Sequence, residues 1–230
     1  MAPSVIDTSS GSAIYTPPSS TNDTFDVFGT NVYRGYDHAT WYVGNAKQAA
    51  SWYSARMGFR IVAHSGLETG SRNFASYMVT NGRARFVFTS PIRGPSSYED
   101  GISAEERHLL EDIHAHLEKH GDAVKDIAFE VDNVRAVYAN AIAKGAQSVR
   151  EPTSLKDEHG QVSLATIKTY GDTTHTFVER RNYNGVFLPG YRLIQEEDPI
   201  SQYLPEVKLD VIDHCVGNQN WDEMESVCKL

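Results

Sequence analysis

From Tyr36 to Val43 the chain mixes β-branched, aromatic and apolar residues, a pattern that predicts a strand. Asn45 followed three residues later by Gln48 is a capping-box signature, and Ala49, Ala50, Trp52, Tyr53 and Met57 carry the helix behind it as far as Gly58. Arg60 to His64, Phe74 to Thr80 and Arg83 to Thr89 then read as short strands, with Asn81-Gly82 as a two-residue hairpin turn. Ser103-Ala104-Glu105-Glu106 opens a second helix. Its inner stripe is Leu109, Leu110, Ile113 and Leu117, and Gly121 stops it. The order then repeats: strand Lys125 to Val131, helix Val134 to Lys144 ended by Gly145, short strand Ala146 to Arg150, and a hairpin of Val162 to Tyr170 with His175 to Arg180.

The repetition extends to individual residues, and a repeated supersecondary unit sets an architecture. His38 to Asn45 matches Asp126 to Asn133 in frame, with a valine five residues after the first position in both. A third copy begins late: Asp213-His214, then Val216-Gly217-Asn218, repeats Asp37-His38 and Val43-Gly44-Asn45 with three residues fewer between. The expected fold is α+β, built of paired βαβββ modules whose sheets curl around a shared cavity, with a third module truncated. The expected organisation is a disordered tail over 1–26, an N-terminal domain over 27–181, a linker over 182–208 rich in Pro and acidic residues, and the truncated start of a further domain over 209–230. Leu209, Val211 and Ile212 alternate toward His214 as a strand. Without sheet partners such a strand is expected to be mobile or to associate with another molecule, so that trimming after Tyr203 leaves stability nearly unchanged.

Charge narrows the function classes. A formal charge of −9 over 230 residues argues against a nucleic-acid binder, which needs a basic surface. No run is long and apolar enough to predict a bilayer-spanning helix, and the Ser/Thr/Pro-rich opening lacks the basic and apolar stretches of a secretory signal. Cys215 and Cys228 fit no metal-finger spacing, so a disulfide framework is not expected, and a reducing, cytoplasmic compartment is.

Several residues invite chemical roles. His38 and Asp126 share one repeat position and Glu179 falls on the last strand of the second module, so the three are either a pseudo-symmetric metal set or relics of duplication satisfied by hydrogen bonds. His116 and His120 stand four apart on the second helix, but His-Leu-Glu-Lys-His lacks the glutamate placement of the zinc-protease motif, and a structural or solvated role is the expectation. His175 is likewise expected to be structural.

The segments Gly35 to Phe59, Val124 to Val131, Thr169 to Glu179, Phe187 to Tyr191 and Val211 to Gln219 are similar, in order and spacing, to the 4-hydroxyphenylpyruvate dioxygenase family of the vicinal oxygen chelate superfamily. Hydroxymandelate synthase is the competing relative. The resemblance covers Phe25 to Leu230 and implies a non-haem Fe(II) enzyme of tyrosine and phenylalanine catabolism. Such an enzyme converts 4-hydroxyphenylpyruvate, a 2-oxo acid, and O2 to homogentisate and CO2, through two His and one carboxylate on one face of the metal. Carried over, His214 is the first iron ligand and Val216 a substrate-pocket candidate two residues along. The remaining His and Glu would lie beyond Leu230, so the resemblance implies that these residues alone neither retain iron nor act. The other class of reading is a non-catalytic scaffold or assembly module, and a homo-oligomer is expected in either case.

Overall fold

Two asparagines start the two helices that define the architecture. Asn45 Oδ1 accepts the amide of Gln48 at 3.0 Å and Asn133 Oδ1 that of Ala136 at 3.0 Å, each relieving one of the unpaired donors at a helix start. Helix α1 (Ala46–Met57) ends where Gly58 turns left-handed at φ 67, and α3 (Val134–Ala143) ends at Lys144. The computed structural model describes residues 33–95, 102–196, 198–219 and 221–227; the expected tail over 1–26 and Cys228 lie outside them.

The first module is β1 (Tyr33–Tyr42), α1, β2 (Arg60–Ser65), β3 (Phe74–Asn81) and β4 (Ala84–Pro91). A connecting helix α2 (Ala104–His120) follows, capped by Ser103 and stopped at Gly121. The second module is β5 (Ala123–Val131), α3, β6 (Ser148–Asp157), β7 (Gly160–Lys168) and β8 (Thr174–Tyr183). A two-residue strand β9 (Arg192–Leu193) and a four-residue helix α4 (Met224–Val227) come last. The paired βαβββ arrangement is the one the sequence predicts.

The strands among the described residues belong to one sheet of order β6-β7-β8-β5-β1-β4-β3-β2-β9. In each module the first strand runs parallel to the last, and the two modules meet through the antiparallel pair β1 and β5, registered Ala39 to Ile127. Residues 38 and 126 are therefore related by a local two-fold, as their shared repeat position predicts. Side chains alternate between the two faces along each strand. Phe88 packs under α1 with Val43, Ala46, Ala50, Phe59 and Val79, while its neighbour Val87 faces the other side with Val62, Met78 and Phe187. Ala165 and Phe177 pack under α3, and their neighbours Leu164 and Val178 point the opposite way.

Three expectations need correction. Strand β6 does not end at Arg150 but runs to Asp157 across Pro152; it is an edge strand with β7 as its only neighbour, and an edge tolerates a missing N–H donor. The linker region is partly core, because Phe187 is buried against Val62 and Met78 and β9 pairs with β2. Residues 209–216 form no strand but lie along the β3–β4 hairpin: Asn81 Oδ1 accepts the Leu209 amide at 3.1 Å, the Arg83 amide donates to Asp210 O at 2.6 Å, and Ile212 packs on the α1 core. Gly82, at φ +59, lets the Leu209 carbonyl approach where a Cβ would stand. Trimming the chain after Tyr203 is accordingly expected to lower Tm by about 2–8 °C, the effect of losing roughly 1–2 kcal/mol in a domain of this size. An unchanged melting curve would show that the docked segment adds nothing.

Candidate functional site

The concave face of the sheet carries the polar chemistry, and a bulge in β1 puts it there. The β1–β5 register shifts between Tyr36 and His38, so that Asp37 and His38, consecutive in the strand, are both buried. Asp37 is 0% exposed. Its carboxylate takes Arg180 Nε at 2.6 Å and Nη2 at 2.7 Å in a bidentate pair, and His38 Nδ1 stands 2.5 Å from Oδ1. Arg180 also donates to the Phe187 carbonyl and lies 5.1 Å from that ring's centroid. Burial pushes the Asp37 carboxyl up, but the Arg180 charge, its hydrogen bonds and His38 outweigh it and hold the group well below the usual carboxylate range.

On the same face of β5, Asp126 Oδ1 accepts the hydroxyls of Thr174 at 2.5 Å and Thr176 at 2.9 Å. Burial raises its carboxyl from the ordinary range, against the lowering effect of those hydroxyls and of His38. Helix α2 lies over this half of the face. His116, with Leu110 and Ile113, is buried in its inner stripe, where Leu117 was expected to be; Leu109 and Leu117 are only partly covered. The His116 ring packs edge-on against Tyr42 at 5.4 Å between centroids, Nε2 reaches the Ala123 carbonyl at 3.3 Å, and burial lowers its pKa. Lys119 Nζ at 2.5 Å and His120 Nε2 at 2.8 Å both meet Asp172 Oδ2 on the turn between β7 and β8, and these two partners hold Asp172 at about 2. Between α2 and the sheet lies a cavity of about 730 Å³. Phe187 and its neighbours fill the face over the first module, leaving the cavity over the second.

The sequence-selected residues do not converge. His38 and Asp126 line this cavity, but Glu179 points to the other face, where its Oε2 accepts the Val134 amide at 3.0 Å and caps α3. His175 faces the same way, edge-on to Phe129 at 5.1 Å. His214 is exposed and paired with Asp213 at 2.7 Å, and Val216 is exposed, so neither reaches the cavity. Among the described residues no three His, Cys, Asp or Glu side chains come together as metal donors. The donor set for a two-His, one-carboxylate iron is thus not assembled among the described residues. The Asp37–Arg180 pair was not found from sequence: the partners lie 143 positions apart, and only the repeated Asp-His dipeptide hinted that the position matters.

A curled mixed sheet made of two βαβββ halves defines a class, and a sequence profile agrees: residues 35–168 match the Glyoxalase/Bleomycin resistance protein/Dioxygenase superfamily. The fold likeness extends to a variant of 4-hydroxymandelate synthase from Streptomyces coelicolor, with TM-score 0.55 and 23% identity over 75% of this chain and 44% of that one. Sequence relatives are closer. A 4-hydroxyphenylpyruvate dioxygenase from Aspergillus fumigatus is 56% identical over 219 residues, 95% of this chain and 54% of the relative. One from Neurospora crassa is 59% identical over 85% of this chain and 48% of its own length, and one from Yarrowia lipolytica 51% identical over 92% and 52%. The chain belongs to the Glyoxalase/Bleomycin resistance protein/Dioxygenase superfamily and is similar, within it, to 4-hydroxyphenylpyruvate dioxygenases. It spans about half the length of the curated relatives it matches.

Proposed function

We propose that the chain is the amino-terminal, non-metal half of a 4-hydroxyphenylpyruvate dioxygenase, acting as the scaffold on which the catalytic half is built. The reaction proposed for the whole enzyme is the Fe(II)-dependent conversion of 4-hydroxyphenylpyruvate and O2 to homogentisate and CO2. The observation that carries this reading is 56% identity over 219 residues to a protein of which those residues make up 54%. His38 held by Asp37, Asp126 by two threonine hydroxyls and Glu179 by the Val134 amide favour a scaffold role for this half over a catalytic one. His214 and Val216 belong to the reading as residues that would join the iron site and substrate pocket in the company of further chain. The docked path of residues 207–212 along the β3–β4 hairpin supports it too, since that path fixes where the following segment departs from the first half. No helix among the described residues is long and apolar enough to cross a membrane, and the reading includes a cytoplasmic homo-oligomer.

The 230-residue chain, supplied with Fe(II), ascorbate and 4-hydroxyphenylpyruvate, is expected to form no homogentisate above an enzyme-free control. Chromatographic detection of product that disappears in His214→Ala would overturn the scaffold reading.

A further inference from the structure

The cavity under α2 has a use of its own. At about 730 Å³ it lies within the range of about 300–1,000 Å³ usual for small-molecule sites, and its walls combine a few apolar side chains, Leu109, Leu164 and Leu188 among them, with many polar and charged ones. On its floor, Asp126 spends both threonine hydrogen bonds on Oδ1, which leaves Oδ2 free as an acceptor. Thr166 Oγ1 lies 2.9 Å from Thr176 Oγ1, and because Thr176 donates to Asp126 the chain of hydroxyls runs toward that carboxyl. At the rim, Asp112 and Asp172 are neutralised by Lys125, Lys119 and His120, whereas Arg150 and Lys168 have no ion-pair partner among the described residues. Glu105 is the remaining unpaired anion there. In the wall, His116 is 5% exposed and its Nδ1 has no partner among the described residues.

Strand register sets the spacing between floor and rim. Asp126 pairs with Thr174, and Thr174 with Lys168, so Asp126 and Lys168 stand two strands apart in one row. Two interstrand steps are about 10 Å between Cα atoms, room for one small molecule with a hydrogen-bond donor at one end and an anion at the other.

We propose that this cavity binds a small hydroxylated organic acid, its carboxylate held by Arg150 and Lys168 at the rim and its hydroxyl donated to Asp126 Oδ2 on the floor. Binding at this site does not depend on the catalytic reading. Arginine and lysine supply charge-assisted hydrogen bonds to the carboxylate, and Asp126 Oδ2 on the cavity floor gains a donor from the ligand. An acid without the hydroxyl forgoes that hydrogen bond, which is how the site distinguishes the two.

The test uses the full chain and a rigid probe, 4-hydroxybenzoate, in calorimetric titration. Saturable one-to-one binding is expected, with benzoate and 4-hydroxybenzyl alcohol each weaker by about tenfold or more, the loss of one good polar contact. Arg150→Ala combined with Lys168→Ala should weaken 4-hydroxybenzoate by about tenfold or more, with the melting curve unchanged because both side chains are exposed. Asp126→Asn should abolish the preference for 4-hydroxybenzoate over benzoate. No saturable binding up to about 10 mM, or binding undiminished in the rim variant, would overturn the proposal, and neither result depends on the Asp126 variant folding.

Discussion

Arg180→Ala is expected to destabilise the fold by about 3–5 kcal/mol at neutral pH, because it strands a fully buried carboxylate. Asp37 is 0% exposed, and Arg180 supplies its counter-charge through two hydrogen bonds of 2.6 and 2.7 Å. The same guanidinium donates to the Phe187 carbonyl, so its removal also frees the segment that fills the first module's concave face. Arg180→Lys keeps the charge but not the planar fork, and should recover only part of the loss. The pH dependence gives a second check. Since the folded Asp37 carboxyl lies well below its unfolded value of roughly 3.9, its contribution is complete above that value and is lost as pH falls through the folded pKa. In Arg180→Ala burial acts without the cation, the folded pKa rises above the unfolded one, and the deficit should shrink as pH is lowered. Equilibrium denaturation at pH 7 and pH 5 measures both, and a neutral-pH loss under about 1 kcal/mol would refute the buried-pair account.

Phe88→Ala is expected to cost a similar amount, about 3–5 kcal/mol, by a different route. Phe88 is 1% exposed, with its ring centroid 4.8 Å from that of Tyr53 and 6.2 Å from that of Trp41. Removing it opens a cavity between α1 and the sheet that Tyr53, packed edge-on against the stacked pair Phe59 and Phe86, cannot close without leaving its own contacts. Trp52 on the outer side of α1 is the control: at 55% exposed, its replacement by alanine should change stability by less than about 1 kcal/mol. Equal losses at the two positions would mean that α1 does not seat on the sheet through Phe88.

The helices and their starts were legible in the sequence because capping is local: Asn45, Ser103 and Asn133 each bond an amide three residues on. The duplication was legible as well, and it placed residues 38 and 126 about the two-fold at Ala39 and Ile127. What escaped depends on distant partners. Alternation assigns Asp37 and His38 to opposite faces, and only a bulge set by pairing with β5 buries both. Pro152 reads as a strand terminus until β6 is known to be an edge. Phe187 sits in a Pro-containing stretch without periodicity, and its burial is decided by Val62 and Met78, more than a hundred positions earlier. Glu179 shares the last strand of its module with Arg180, but strand alternation sends it to cap α3 while its neighbour pairs with Asp37.

Anaerobic calorimetric titration of the purified 230-residue chain with Fe(II) tests most directly whether this half is a scaffold. With His38 against Asp37, Asp126 holding two threonines and Glu179 capping α3, the account predicts no one-to-one binding tighter than about 10 μM, a free energy of roughly −7 kcal/mol. A tight one-to-one isotherm, abolished by His38→Ala, would contradict it.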